Sequence, residues 1–135
     1  MNKYEHNAGE SLTGVWDGVF RQHTHGSVVF TATLIESGNQ ITGSTHERCT
    51  QFDCPRKTHL ATLSGDRHGR AVSFVKTYDP PGFGCDAVMY SGELNSAASE
   101  IAGEWTIGVG LSGAFLMIRA NRRARMRTRK KLAAV

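Results

Sequence analysis

The stretch that decides the fold is Ser27-Val28-Val29-Phe30-Thr31-Ala32-Thr33-Leu34-Ile35-Glu36, followed by Ser37-Gly38-Asn39 and then Gln40-Ile41-Thr42-Gly43-Ser44-Thr45-His46-Glu47. Successive side chains on an extended strand point to opposite faces, so Val28, Phe30, Ala32 and Leu34 form one apolar face. The Ser-Gly-Asn between the two runs suits a short hairpin, because Gly and Asn tolerate the backbone angles that a tight reversal needs.

Outward from this hairpin the same period of two recurs almost throughout, and no long window keeps a helical period. The pattern predicts eight strands at about 13–21, 27–36, 40–47, 58–65, 70–78, 86–94, 100–107 and 113–120. Asp66 to Gly69 and Asn95 to Ser99 read as further short hairpins. The alternate connections, Gln22 to Gly26, Arg48 to Lys57, Asp79 to Cys85 and Gly108 to Ser112, are more varied. Eight such strands in sequence order predict an all-β fold, an antiparallel up-and-down β-barrel with the more varied loops gathered at one end.

One face of each strand is expected inside. Trp16, Gly18, Phe20 and Gln22 share a face on the first strand. Phe74, Tyr78, Val88, Tyr90, Trp105, Phe115 and Met117 continue the inner set, whereas the fourth strand shows no clear face. The inward Gly18, Gly43, Gly92 and Gly103 lack side chains, which predicts some empty volume inside.

A chain of 135 residues has room for one domain, here residues 12–120, with residues 1–11 and 121–135 read as tails. Gly at 15 against Pro at 3 fits a fold of many turns. The formal charge of +4 is unevenly placed. Residues 1–118 hold 12 acidic and 8 basic side chains, whereas Arg119 to Lys131 hold 8 basic and no acidic ones. The body is mildly acidic and the tail cationic. No stretch approaches a membrane span or a signal peptide, and three cysteines suit free thiols, so the expected location is cytoplasmic.

Leu12-Thr13-Gly14-Val15-Trp16 resembles the Gly-x-Trp opening of the calycin superfamily, which includes lipocalins, fatty-acid-binding proteins and avidins. The resemblance implies that Trp16 plugs the closed end of the barrel and that Arg119, late in the last strand, packs across it. Gln40-Ile41-Thr42-Gly43-Ser44-Thr45 is similar to avidin's third strand, and Glu104-Trp105 with Val109-Gly110 resembles its penultimate strand and final loop. The outline is avidin-like without the biotin-binding residues: Gly18 and Phe20 stand where polar ligand contacts are expected, and Thr45 where a tyrosine is.

With Trp16 at the closed end, the mouth lies at the end of the first strand. His23, His25, Cys49, Cys54, Cys85 and Pro80-Pro81-Gly82-Phe83-Gly84 fall on its loops. The series His46, Cys49, Cys54 and His59 is looser than the usual zinc spacings, and a disulfide from Cys85 to Cys49 or Cys54 is sterically allowed; free thiols, no metal and no cofactor are expected. Glu47 and Asp79 are expected to be solvated acids at strand ends, and no known catalytic motif is present.

The leading functional expectation is therefore non-catalytic binding of a small, partly apolar ligand in the mouth. Phe20, Tyr78, Tyr90 and Trp105 would supply contact area, and Gln22 and Thr45 would orient the ligand by hydrogen bonds. The alternatives are a protein or polyanion interaction module using the basic tail, which would bind nucleic acid only nonspecifically, and a barrel enzyme. Outward Val15, Val19, Val29, Ile35, Leu116 and Ile118 predict an apolar patch suited to a homo-oligomer, a dimer or tetramer.

Overall fold

The computed structural model describes residues 10–22, 26–48, 58–79, 87–108 and 110–120. Eight strands follow one another: β1 (Gly14–Gln22), β2 (Gly26–Ser37), β3 (Gln40–Arg48), β4 (Thr58–His68), β5 (Ala71–Asp79), β6 (Ala87–Leu94), β7 (Glu100–Ile107) and β8 (Leu111–Arg119). Each pairs antiparallel with its neighbours, and β8 returns to β1 to close the barrel. The all-β barrel expected from the period of two is the observed fold. Among the described residues no helix is long and apolar enough to cross a membrane.

The largest boundary difference is in β4, which runs on to His68 where a turn was expected to begin at Asp66. The turn is tighter than expected because Gly69 alone supplies the required backbone, with φ of 62°. Gly38 does the same between β2 and β3, with φ of 63°. A glycine with positive φ at the first position of a two-residue loop matches the right-handed twist of the flanking strands. The extension of β4 to His68 carries Arg67 into the interior.

Inward side chains form one apolar core that runs through the barrel. In the half near Gly14, Leu12, Trp16, Leu34, Ile41, Leu94, Ile101 and Met117 are almost fully buried in one apolar cluster. The Trp16 indole N–H donates to the Leu12 carbonyl at 2.9 Å. The Arg119 guanidinium lies 4.6 Å from the centre of the Trp16 ring and donates to Ser11 O and Ala98 O. Arg67 Nη1 donates to Glu10 O and to Glu36 Oε1, which also accepts from the Leu12 N–H. Two arginines and one tryptophan thus tie residues 10–13 across this end. We call it the near end, and the opposite end the far end.

The glycines do not leave the empty space expected of them. A Cβ on Gly18 would stand 2.2 Å from Phe30 Cζ, so that ring already lies across it. At Gly43 and Gly103 the backbone carbonyls of Thr33 and Ser91 would overlap such a Cβ, and at Gly92 the Ala102 carbonyl oxygen and the Phe115 ring would stand 2.7 and 2.9 Å from it. These positions are glycine because neighbouring strands and rings occupy the room. Gly18→Ala should therefore cost about 1–3 kcal/mol, the usual range for overpacking. Adding Phe30→Leu should return part of it, as urea unfolding of the single and double variants would reveal; equal losses in both would show that Phe30 is not what Gly18 accommodates.

The outer apolar patch is also revised. Val19, Leu116 and Ile118 are buried within the single chain as a second cluster, leaving Val15, Val29 and Ile35 exposed. Three of the six positions of the expected outer patch are therefore exposed.

Candidate ligand site in the far half of the barrel

Parity along the strands builds the site. On β3, Ile41, Gly43, Thr45 and Glu47 alternate inward; on β5, Val72, Phe74, Lys76 and Tyr78 do the same. β3 and β5 thus each place one charged residue inside the barrel. Lys76 is 1% exposed and Glu47 6%. Lys76 Nζ donates to Glu47 Oε1 at 2.6 Å, and the Tyr78 hydroxyl donates to the same oxygen at 3.0 Å. The expectation that Glu47 is a solvated strand-end acid is overturned, because its position on the inward face outweighs its place near the strand terminus.

Aromatic rings enclose the lysine. Its Nζ lies 4.6 Å from the centre of Phe20, 4.9 Å from Tyr78, 5.1 Å from Phe30 and 5.7 Å from Tyr90. Ring faces attract a cation, most strongly where water is excluded. Burial nevertheless pushes the Lys76 pKa below its ordinary value, against the opposing pull of Glu47. Burial first, and then the Glu47 charge, raise the Tyr90 hydroxyl well above an ordinary phenol. A buried amine beside a carboxylate can pass it a proton and, once deprotonated, is a nucleophile.

The expected ligand residues are partly brought together. Phe20, Tyr78 and Tyr90 surround Lys76. Trp105 meets Phe20 edge-on, and its indole N–H donates to Arg21 O at 3.0 Å. Tyr90 stacks on Phe74 at 5.0 Å, closer to the apolar core than to a strand end. Thr45 lies on the inward face two residues from Glu47, almost fully buried. Its Oγ1 has no hydrogen-bond partner among the described residues. Gln22 is half-buried at the last position of β1.

Lys76 and Glu47 were missed as members of the site. The signal was present, since Lys76 falls midway between Phe74 and Tyr78 on the same parity, and Glu47 follows Thr45. His59 enters the sequence reading only as the last member of the loose metal series, not as a neighbour of the ligand residues. It is half-buried, pairs with Glu47 across β3 and β4, and meets the Tyr78 ring edge-on at 6.3 Å. His46 takes the opposite face of β3, exposed and paired with Leu60. The two histidines of the loose metal series therefore point to opposite sides of the sheet. His23, His25, Cys49, Cys54, Cys85, residues 80–84 and the basic tail lie outside the described residues.

A scan against models of known protein families finds no match to this chain, and a search of the curated proteins finds none either.

Proposed function

We propose that this chain is a calycin-like container that binds a small, partly apolar ligand from the far end of the barrel, without turnover. The observation that carries this reading is Thr45 Oγ1, a buried hydroxyl with no partner among the described residues. Leaving such a group dry and unpaired costs about 1–3 kcal/mol, so its position favours a ligand atom that completes it. The rings of Phe20, Phe30, Tyr78 and Tyr90 supply apolar contact beside it, and the Glu47–Lys76 pair supplies polarity at a fixed point.

Native mass spectrometry of the untagged protein tests this directly. Excess mass that is released on denaturation is the expected result. Benzyl alcohol is a suitable added probe, read by tryptophan fluorescence. Thr45→Val should weaken binding of that probe about two- to tenfold, the worth of one hydrogen bond, while stability stays level or rises. A bare native mass together with no saturable response to benzyl alcohol would overturn the container reading.

A further inference from the structure

We propose that Lys76 captures a neutral aldehyde or ketone as a reversible imine, with Glu47 and Tyr78 moving the protons. This rests on the container reading and names the class of ligand it takes.

The first argument is charge. Lys76 and Glu47 already neutralise one another at 2.6 Å inside the barrel. A carboxylate ligand on Lys76 would add a second anion beside Glu47, and a cationic ligand a second cation beside Lys76. Either leaves a buried charge without a partner, at a cost of several kcal/mol. A neutral polar ligand brings no such charge.

The second argument is reactivity. A buried amine ringed by apolar and aromatic groups is a nucleophile when a base beside it takes the ammonium proton. Glu47 Oε1 stands in hydrogen-bond contact with Lys76 Nζ and receives that proton. The free amine then adds to the carbonyl carbon, forming the C–N bond and a carbinolamine. Tyr78 O–H and the protonated Glu47 share one hydrogen bond, so a proton passes from this pair to the carbinolamine oxygen, which leaves as water. The product is a protonated imine whose positive charge faces the Glu47 carboxylate. One amine, one carboxylic acid and one carbonyl become one iminium, one carboxylate and one water, and the site is neutral before and after. The Phe20, Phe30, Tyr78 and Tyr90 faces that hold the ammonium hold the iminium in the same place. Water attack reverses every step and releases the ligand.

Approach is from the far end, where Tyr78 and His59 are both half-buried rather than sealed. The chain has four other lysines, Lys3, Lys57, Lys130 and Lys131, which serve as an internal comparison for reactivity.

The test is incubation of the whole folded protein with benzaldehyde and sodium cyanoborohydride, which traps an imine as a stable benzylamine, followed by intact-mass and peptide mapping. The expected result is one benzyl group per chain at Lys76, appearing before label at the other lysines and suppressed by excess benzyl alcohol. Lys76→Met should lose the label, and Tyr78→Phe should slow it. Mapping on the wild-type chain keeps the test decisive even where a variant fails to fold. Label confined to the other lysines, with saturable benzyl alcohol binding intact, overturns the imine and leaves the container standing. No label at Lys76 and no alcohol binding overturn both.

Discussion

Glu47→Leu is expected to lower the unfolding free energy by about 3–5 kcal/mol, the penalty for stranding one member of a buried ion pair. Lys76 would keep its place among four rings yet lose the carboxylate that accepts its hydrogen bond at 2.6 Å. Lys76→Met should cost a comparable amount, because it leaves Glu47 as the unpaired group. The double variant Glu47→Leu/Lys76→Met should recover most of the loss, since well-packed apolar replacements of buried ion pairs are often neutral or stabilising. Urea unfolding of the four proteins measures the coupling. Additive losses in the double variant would mean that the two groups do not depend on one another, contrary to the geometry.

The pH profile separates the lysine from its neighbours. Burial lowers the Lys76 pKa in the folded state, so between that value and the ordinary 10.5 the unfolded chain binds a proton that the folded one lacks. Stability from this group therefore rises with pH across that window and is level above it. Tyr90 works in the other direction. Its pKa is raised in the folded state, so above the ordinary 10.0 the unfolded chain loses a proton that the folded one keeps, and stability falls. The wild-type profile should climb toward about pH 10 and then turn over. Lys76→Met should remove the climb and retain the fall.

What could be read from the sequence and what could not divide along one physical line. Period two is a backbone property, and it carried the strand count, the sequence-order pairing and the closure of β8 on β1. The fourth strand showed no face because Leu60 points outward, 44% exposed, while Ala61 and Leu63 point inward. Composition alone could not choose between them; the register Thr45↔Ala61 and Glu47↔His59 does. Lys76 and Glu47 sat on the inward parity but carried charges that ordinarily mean solvent, and the type of side chain outweighed its position. The correct weighting asks whether a second charge of opposite sign falls on the inward face of a nearby strand. The glycines misled for the reverse reason. A missing side chain reads as space in one dimension, whereas in three dimensions Phe30 covers Gly18 and Phe115 lies against Gly92.

The near end gives the second large effect. Trp16→Ala should cost about 3–5 kcal/mol, the range for truncating a fully buried aromatic residue. Three losses add at this one position. The core around Leu12, Leu34, Ile101 and Met117 loses one of its two tryptophans, the Leu12 carbonyl loses the indole N–H at 2.9 Å, and Arg119 loses the ring face at 4.6 Å. Trp16→Phe retains a ring for Arg119 to cover but removes the donor, so its cost should fall well below that of alanine. It also leaves Trp105 as the chain's single tryptophan, since the sequence contains two. Trp105 meets Phe20, whose ring faces Lys76, whereas Trp16 lies against Leu12 and Arg119 at the near end. If binding belongs to the far half, Trp16→Phe should lose stability in urea yet keep the wild-type affinity for benzyl alcohol, with the fluorescence response now coming from Trp105 alone. A Trp105-only protein that is stable but unresponsive would place the wild-type response at Trp16, and with it the probe at the near end.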